Sequence, residues 1–181
     1  MMELVYSVLR TRPVRLMDSP FPPRCAERFE AKKLLASGSF GSVFLARQRS
    51  LDRHAAVKLL HIDPKANQTA AARFLREAKI AAHLRHPNIV DILDHDVEDD
   101  VPWIAYEYLP GGSVDRLLRD MGAMRWPDAV TLAHQVALAL ACAHEQGILH
   151  RDVKPGNVLV AGPGRYKLAD FGIARQLDAT I

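Results

Sequence analysis

His150-Arg151-Asp152-Val153-Lys154-Pro155-Gly156-Asn157, followed by Asp170-Phe171-Gly172, places two carboxylates, an amide and an ammonium within a short span of the chain. Transfer of a phosphoryl group from a metal-bound nucleotide needs that set: an acceptor for a hydroxyl proton, oxygen ligands for Mg²⁺, and a cation for the moving group. On this reading Asp152 accepts the proton and positions the attacking hydroxyl. Asn157 and Asp170 are the magnesium ligands, and Lys154 contacts the γ-phosphate. The spacing H-R-D-x-x-x-x-N with a downstream D-F-G is specific, because several fixed positions must coincide. The competing reading is a polar loop with chance acidic residues.

Toward the N-terminus, strand-like Phe29–Ala36 and Ser42–Arg49 flank Ser37-Gly38-Ser39-Phe40-Gly41. Glycines let backbone N–H groups approach phosphate oxygens. Such a hairpin is a weak sign alone, but here it precedes Ala55-Ala56-Val57-Lys58, an apolar strand ending in lysine. Asn67–Leu84 reads as a helix, with Phe74, Ala78, Ala81 and Leu84 at helical spacing and Glu77 beside that face. His86-Pro87-Asn88-Ile89-Val90 ends the helix and starts a strand. Asp94–Asp100 reads as a polar, acidic turn, and Pro102–Leu109 as an apolar strand broken by Pro110-Gly111-Gly112.

Ser113 is a candidate N-cap for a helix over Val114–Met121. Pro127–Gln146 is a second strong helix, with Leu132, Val136 and Leu140 spaced by four beside Ala129, Ala133 and Ala137. Pro127 suits its first turn and Gly147 stops it. Val158–Val160 and Tyr166–Ala169 form a strand pair around Gly162-Pro163-Gly164. Residues 1–25, with Pro13, Pro20, Pro22 and Pro23, read as a flexible leader.

The 181 residues are 49% hydrophobic and 25% charged, enough apolar content for a packed core of about one domain. The net charge of +3 is spread along the chain without a run of like charges, so nucleic acid is not an expected partner. Cys25 and Cys142 lie far apart, outside any C-x-x-C, and read as reduced thiols of a cytoplasmic chain. No segment reaches the roughly 18 apolar residues of a membrane span. The start lacks the charge order and cleavage pattern of a secretory signal. The eight histidines show no metal-ligand spacing and read as surface or satisfied core residues.

From about Phe29 to Arg175 these motifs, in this order, resemble the eukaryotic-like serine/threonine protein kinases in their bacterial form. The resemblance implies an α+β, two-lobe fold. Residues 29–108 would form an N-lobe of antiparallel sheet plus one helix, 109–112 a hinge, and 113–181 an incomplete helical C-lobe, after a leader at 1–28. It implies ATP and Mg²⁺ between the lobes and transfer of the γ-phosphate to Ser/Thr hydroxyls of protein substrates. Lys58 would contact the α- and β-phosphates, oriented by Glu77.

The implied nucleotide contacts come from Leu35, Ala36, Gly38, Ser39, Phe40, Gly41 and Val43 around the glycine hairpin, and from Ala56 and Lys58 on the next strand. Backbone groups near Glu107 and Leu109 would bind adenine, Ser113 the ribose, and Leu159 would floor the pocket. Tyr106 falls at the gatekeeper position and should restrict the back pocket. Ala36 departs from the family pattern, which has a glycine there. Lys154, two residues after Asp152, favours serine/threonine over tyrosine specificity.

The chain stops shortly after Asp170-Phe171-Gly172, without an A-P-E motif, and is expected to be a fragment of a longer kinase. The helix over Pro127–Gln146 should then lose much of its packing partner. The alternative is a catalytically silent ATP-binding or regulatory module. A small-molecule phosphotransferase shares the lobe plan, but His150-Arg151-Asp152 with Lys154 argues against it.

Overall fold

The computed structural model describes residues 19–38, 41–61, 78–79, 81–98 and 101–171. Strands β1 (Phe29–Gly38), β2 (Gly41–Gln48), β3 (Arg53–Leu60), β4 (Ile92–Glu98) and β5 (Val101–Glu107) form one antiparallel sheet in the order β1-β2-β3-β5-β4. Successive side chains of a strand point to opposite faces. On β3 this sends Ala55 and Val57 into a core with Phe29, Ala46, Trp103 and Ala105. The alternate residues Ala56 and Lys58 pair with Tyr106 and Ile104 of β5. Tyr106, Ile104 and Ala56 belong to a second cluster. One face of the sheet is therefore closed, and the other presents Lys58.

The closed face corrects two expectations. Residues up to 28 were expected to form a flexible leader, but Pro23–Arg28 is a short helix, α1, and Phe21 and Cys25 are buried under the sheet. Phe21 meets Phe44 edge-on at 5.4 Å. Burial, with Asp94 and Glu98 nearby, pushes the Cys25 thiol up to about 12. The expected acidic turn over Asp94–Asp100 is instead largely strand β4, paired with β5 from Ile92↔Tyr106 to Glu98↔Val101. Its carboxylates are taken up by α1. Arg28 Nη1 lies 2.8 Å from Asp94 Oδ2, and the Arg24 backbone N–H donates to Glu98 at 2.9 and 3.0 Å. An edge strand tolerates such residues because ladder hydrogen bonds, not side-chain polarity, define it. The expected strand Pro102–Leu109 ends two residues early, at Glu107.

Two further helices follow, α2 (Val114–Met121) and α3 (Trp126–Glu145). Ser113 caps α2, accepting from the Arg116 N–H at 3.2 Å. Gly147, at φ +72°, ends α3: its N–H bonds His144 O and the Ile148 N–H bonds Ala143 O, the double closure a left-handed residue permits. A single 3₁₀ turn, Pro155–Asn157, leads into the hairpin β6 (Val158–Gly162) and β7 (Arg165–Leu168).

Ala139 and Ala143 of α3 join Leu84, Ile89, Val114, Val158 and Leu168 in a third core, with Leu132, Val136 and Leu140 packed against it. The far side of α3 leaves Trp126, Val130 and Leu138 exposed. Of the helix expected over Asn67–Leu84, residues 67–77 and 80 lie outside the described residues. Ala78, Ala81 and Leu84 are buried, as the apolar stripe requires.

Candidate active site

The loop after α3 is organised by His150. Its ring is 2% exposed and sits 4.8 Å from that of Phe171. Nε2 is 2.8 Å from Ala169 O, and Nδ1 is 3.2 Å from the Asp152 backbone nitrogen. A neutral imidazole serves both contacts, donating at Nε2 and accepting at Nδ1. Desolvation lowers its pKa from the ordinary value, so the neutral form is favoured. His150 thereby ties the loop carrying Asp152 to the segment carrying Asp170.

Asn157 makes the second tie. Its amide nitrogen donates to Asp152 O at 2.8 Å and to Asp152 Oδ2 at 3.1 Å, and its backbone oxygen accepts from the Ala169 N–H at 2.8 Å. The amide nitrogen is spent on the loop, leaving the carbonyl oxygen as the end suited to a cation. Lys154 Nζ lies 2.7 Å from Asp152 Oδ2. Asp152, Lys154 and Asn157 are thus brought together. Arg151 and Asp170 adopt left-handed φ values of +62° and +58°. Such backbone, sparse for residues other than glycine, clusters at functional sites.

Asp170 joins this end of the chain to the sheet. Its Oδ2 is 2.6 Å from Lys58 Nζ, a separation of 112 residues in sequence, and its Oδ1 accepts from the Tyr106 hydroxyl at 3.3 Å. Burial, then the charge of Asp170, raises the Tyr106 pKa well above its ordinary value, so the hydroxyl remains a donor. Lys58 was expected to pair with Glu77. The partner that the described residues give it is Asp170, and Glu77 lies outside them. An aspartate with an amide oxygen is the hard-oxygen donor set that suits Mg²⁺, which takes one or two carboxylates plus phosphate oxygens. Among the described residues no group of three or more His, Cys, Asp or Glu offers a rival metal cluster.

The expected nucleotide contacts surround Lys58. Val43 is its register partner on β2, and Ala36 faces Val43 on β1. Ala36 is not among the left-handed residues, so alanine is accommodated there without strain. Gly38 pairs with Gly41. Gly41 has φ +151°, and a Cβ there would fall 2.1 Å from Leu59 O. Leu35 is half-exposed on β1. Ser39 and Phe40 lie outside the described residues.

Ala56, Leu109 and Leu159 flank one apolar cluster. Ser113 and Leu159 form an isolated bridge, reinforced by the Val160 N–H donating to Gly112 O at 2.9 Å. A Cβ on Gly111 would lie 2.5 Å from Val160 O, so the chain after β5 presses directly onto β6. The side chain of Glu107 is taken up by the Asp91 N–H and by Lys167 Nζ.

Two residues that the sequence did not single out hold this assembly. Gln135 of α3 accepts from Asn88 Nδ2 and the Tyr166 N–H, each at 2.8 Å, and donates to Gly164 O at 2.8 Å. Asn88 also donates to Tyr166 O at 2.9 Å. The break that His134 and Gln135 make in the apolar run from Ala129 to Ala143 was the available signal for Gln135.

The protein kinase domain family matches residues 29–181. A probable serine/threonine-protein kinase of Clostridium perfringens is 40% identical over 153 residues, 84% of this chain and 22% of the relative. PrkC of Bacillus subtilis is 37% identical over 157 residues, covering 87% of the chain and 24% of PrkC. PknF of Mycobacterium tuberculosis is 43% identical over 156 residues, covering 83% and 33%. The chain thus spans between about a fifth and a third of these relatives.

Among solved structures, the Mycobacterium tuberculosis PknI kinase domain superposes with a TM-score of 0.71 at 35% identity, covering 82% of this chain and 61% of that one. Rad53 in complex with AMP-PNP gives 0.74 at 25% identity, covering 82% and 39%. The sheet that presents Lys58, the loop from His150 to Asn157 and Asp170 beside them occur in one matched stretch; the chain belongs to the protein kinase domain family, among relatives that are bacterial serine/threonine-protein kinases.

Proposed function

We propose that this chain carries the nucleotide-binding and phosphoryl-transfer residues of an ATP-dependent protein serine/threonine kinase. The observation that carries the reading is the Lys58–Asp170 ion pair at 2.6 Å, which closes the sheet onto the loop bearing Asp152 and Asn157. Adenine lies between Ala56 and Leu159, against backbone groups of Glu107 and Leu109, with Ser113 at the ribose. The hairpin from Leu35 to Val43, with Gly38, Ser39, Phe40 and Gly41 at its tip, covers the phosphates.

Lys58, oriented by Glu77, binds the α- and β-phosphates. Asn157 and Asp170 would hold Mg²⁺, which when bound neutralises phosphate charge. Asp152 orients the serine or threonine hydroxyl of a protein substrate and takes its proton. Lys154, already 2.7 Å from Asp152, stabilises the charge of the transferring γ-phosphoryl group. The chemistry asks for position more than for covalent help. His150, Asn157 and Gln135 supply that position through the hydrogen bonds given above.

The test is transfer of labelled γ-phosphate from ATP to a generic basic protein, with Asp152→Asn as control. With the complete kinase domain as the enzyme, the reading expects transfer that this substitution lowers by at least a hundredfold. Nucleotide binding with no transfer above the Asp152→Asn background would favour a silent ATP-binding module instead.

A further inference from the structure

We propose that Tyr106 is a positioning residue for Asp170: its hydroxyl, 3.3 Å from Oδ1, holds the carboxylate in the orientation in which it meets a magnesium–nucleotide. The proposal rests on the functional reading above and adds to the steric role of this side chain a polar one.

A carboxylate held at one oxygen can still turn about its Cβ–Cγ bond. Lys58 engages only Oδ2, at 2.6 Å, so Lys58 alone leaves that rotation open. The second donor, on Oδ1, opposes it. Tyr106 is suited to the task because it is held in the core: it is 9% exposed and lines a narrow, mostly apolar cavity with Ala81, Ile89, Val90, Ile92, Phe171 and Asp170 itself. The backbone of Asp170 is fixed as well, at φ +58°, between Ala169, which bonds both Asn157 and His150, and Phe171, which packs on the His150 ring. Backbone and both carboxylate oxygens are therefore all specified. An ionised carboxylate has about four acceptor sites, so the tyrosine hydroxyl and a cation can be served together. Hydrogen bonds to a ligating carboxylate typically change metal affinity by about 10–100-fold.

The experiment is calorimetric titration of ATP into this chain over a range of MgCl₂ concentrations, with wild type, Tyr106→Phe, Asp170→Asn and the double variant. Phenylalanine keeps the ring in its cavity and removes only the hydroxyl. The expected result is about a tenfold rise in the Mg²⁺ concentration that half-maximally tightens ATP binding, with metal-free ATP affinity and melting temperature unchanged. In the Asp170→Asn background, Tyr106→Phe should have no further effect on magnesium dependence. A wild-type or tighter magnesium response in Tyr106→Phe overturns the proposal and leaves the proposed function standing. Parallel losses in melting temperature and metal-free affinity, with no selective magnesium effect, also overturn it in favour of simple packing. Absence of magnesium-dependent ATP binding in wild type would overturn the proposed function, and this proposal with it.

Discussion

His150 shows how one buried side chain connects two parts of a site. Its burial disfavours the charged imidazolium, and the shift is downward despite the opposing hydrogen bond to Ala169 O and the nearby carboxylates of Asp170 and Asp152. Below the ordinary value of about 6.5 the unfolded chain takes up this proton before the folded one. The neutral histidine thus leaves stability intact above that pH, and stability falls as pH drops through it. We predict an NMR titration midpoint for the His150 ring below 6.5, accompanied by a falling melting temperature on the acid side. A midpoint at or above 6.5 would contradict the buried, neutral assignment. The motif marked His150 for a catalytic loop, but its bridge to Ala169 was not legible in the sequence. That bond joins residues 19 apart whose proximity depends on the β6–β7 hairpin between them.

At the scale of elements, α1 and β4 depend on each other. Neither was read correctly from local pattern, and the reason is shared. Six residues beginning with proline are too few to declare a helix by periodicity, and alternating acids in β4 hide a strand whose polar groups find partners on α1. Strong periodic elements fared differently: β1, β2, β3, α2 and α3 fall within a few residues of their expected spans. Phe21 distinguishes an integral α1 region from a loose leader. We predict that Phe21→Ala lowers the unfolding free energy by roughly 3 kcal/mol, because it empties a site under the sheet beside Phe44. Chemical denaturation that gave an unchanged midpoint would restore the flexible-leader reading.

α3 has two unlike faces, and substitution should separate them. Leu138 is 43% exposed and Ala139, one position on, is wholly buried. Leu138→Lys should alter stability by less than about 0.5 kcal/mol in chemical denaturation. Ala139→Leu should cost about 1–3 kcal/mol by overpacking the core around Leu84 and Leu168. Equal costs at the two positions would show that the outer face is covered in solution.

Over the whole molecule, the sheet and the helical part meet through specific links between described residues. The Lys58–Asp170 pair, the Glu107–Lys167 pair and the hydrogen bond from Tyr106 to Asp170 all cross between them. The sequence motifs named nearly every residue at this junction, since each belongs to a short pattern with fixed spacing. They did not reveal that Lys58 and Tyr106 converge on the same carboxylate. That convergence arises from pairing β3 with β5 in the register Ala56↔Tyr106 and Lys58↔Ile104, which local patterns do not encode.

On the proposed function, Asp170 is the carboxylate through which this cleft couples nucleotide to magnesium. The most direct measurement is ATP affinity by calorimetry, with and without Mg²⁺, for wild type and Asp170→Asn. We predict that Mg²⁺ tightens ATP binding in wild type and has no effect in the variant, whose melting temperature stays near that of wild type. ATP binding by Asp170→Asn that still tightened with Mg²⁺ as in wild type would contradict it.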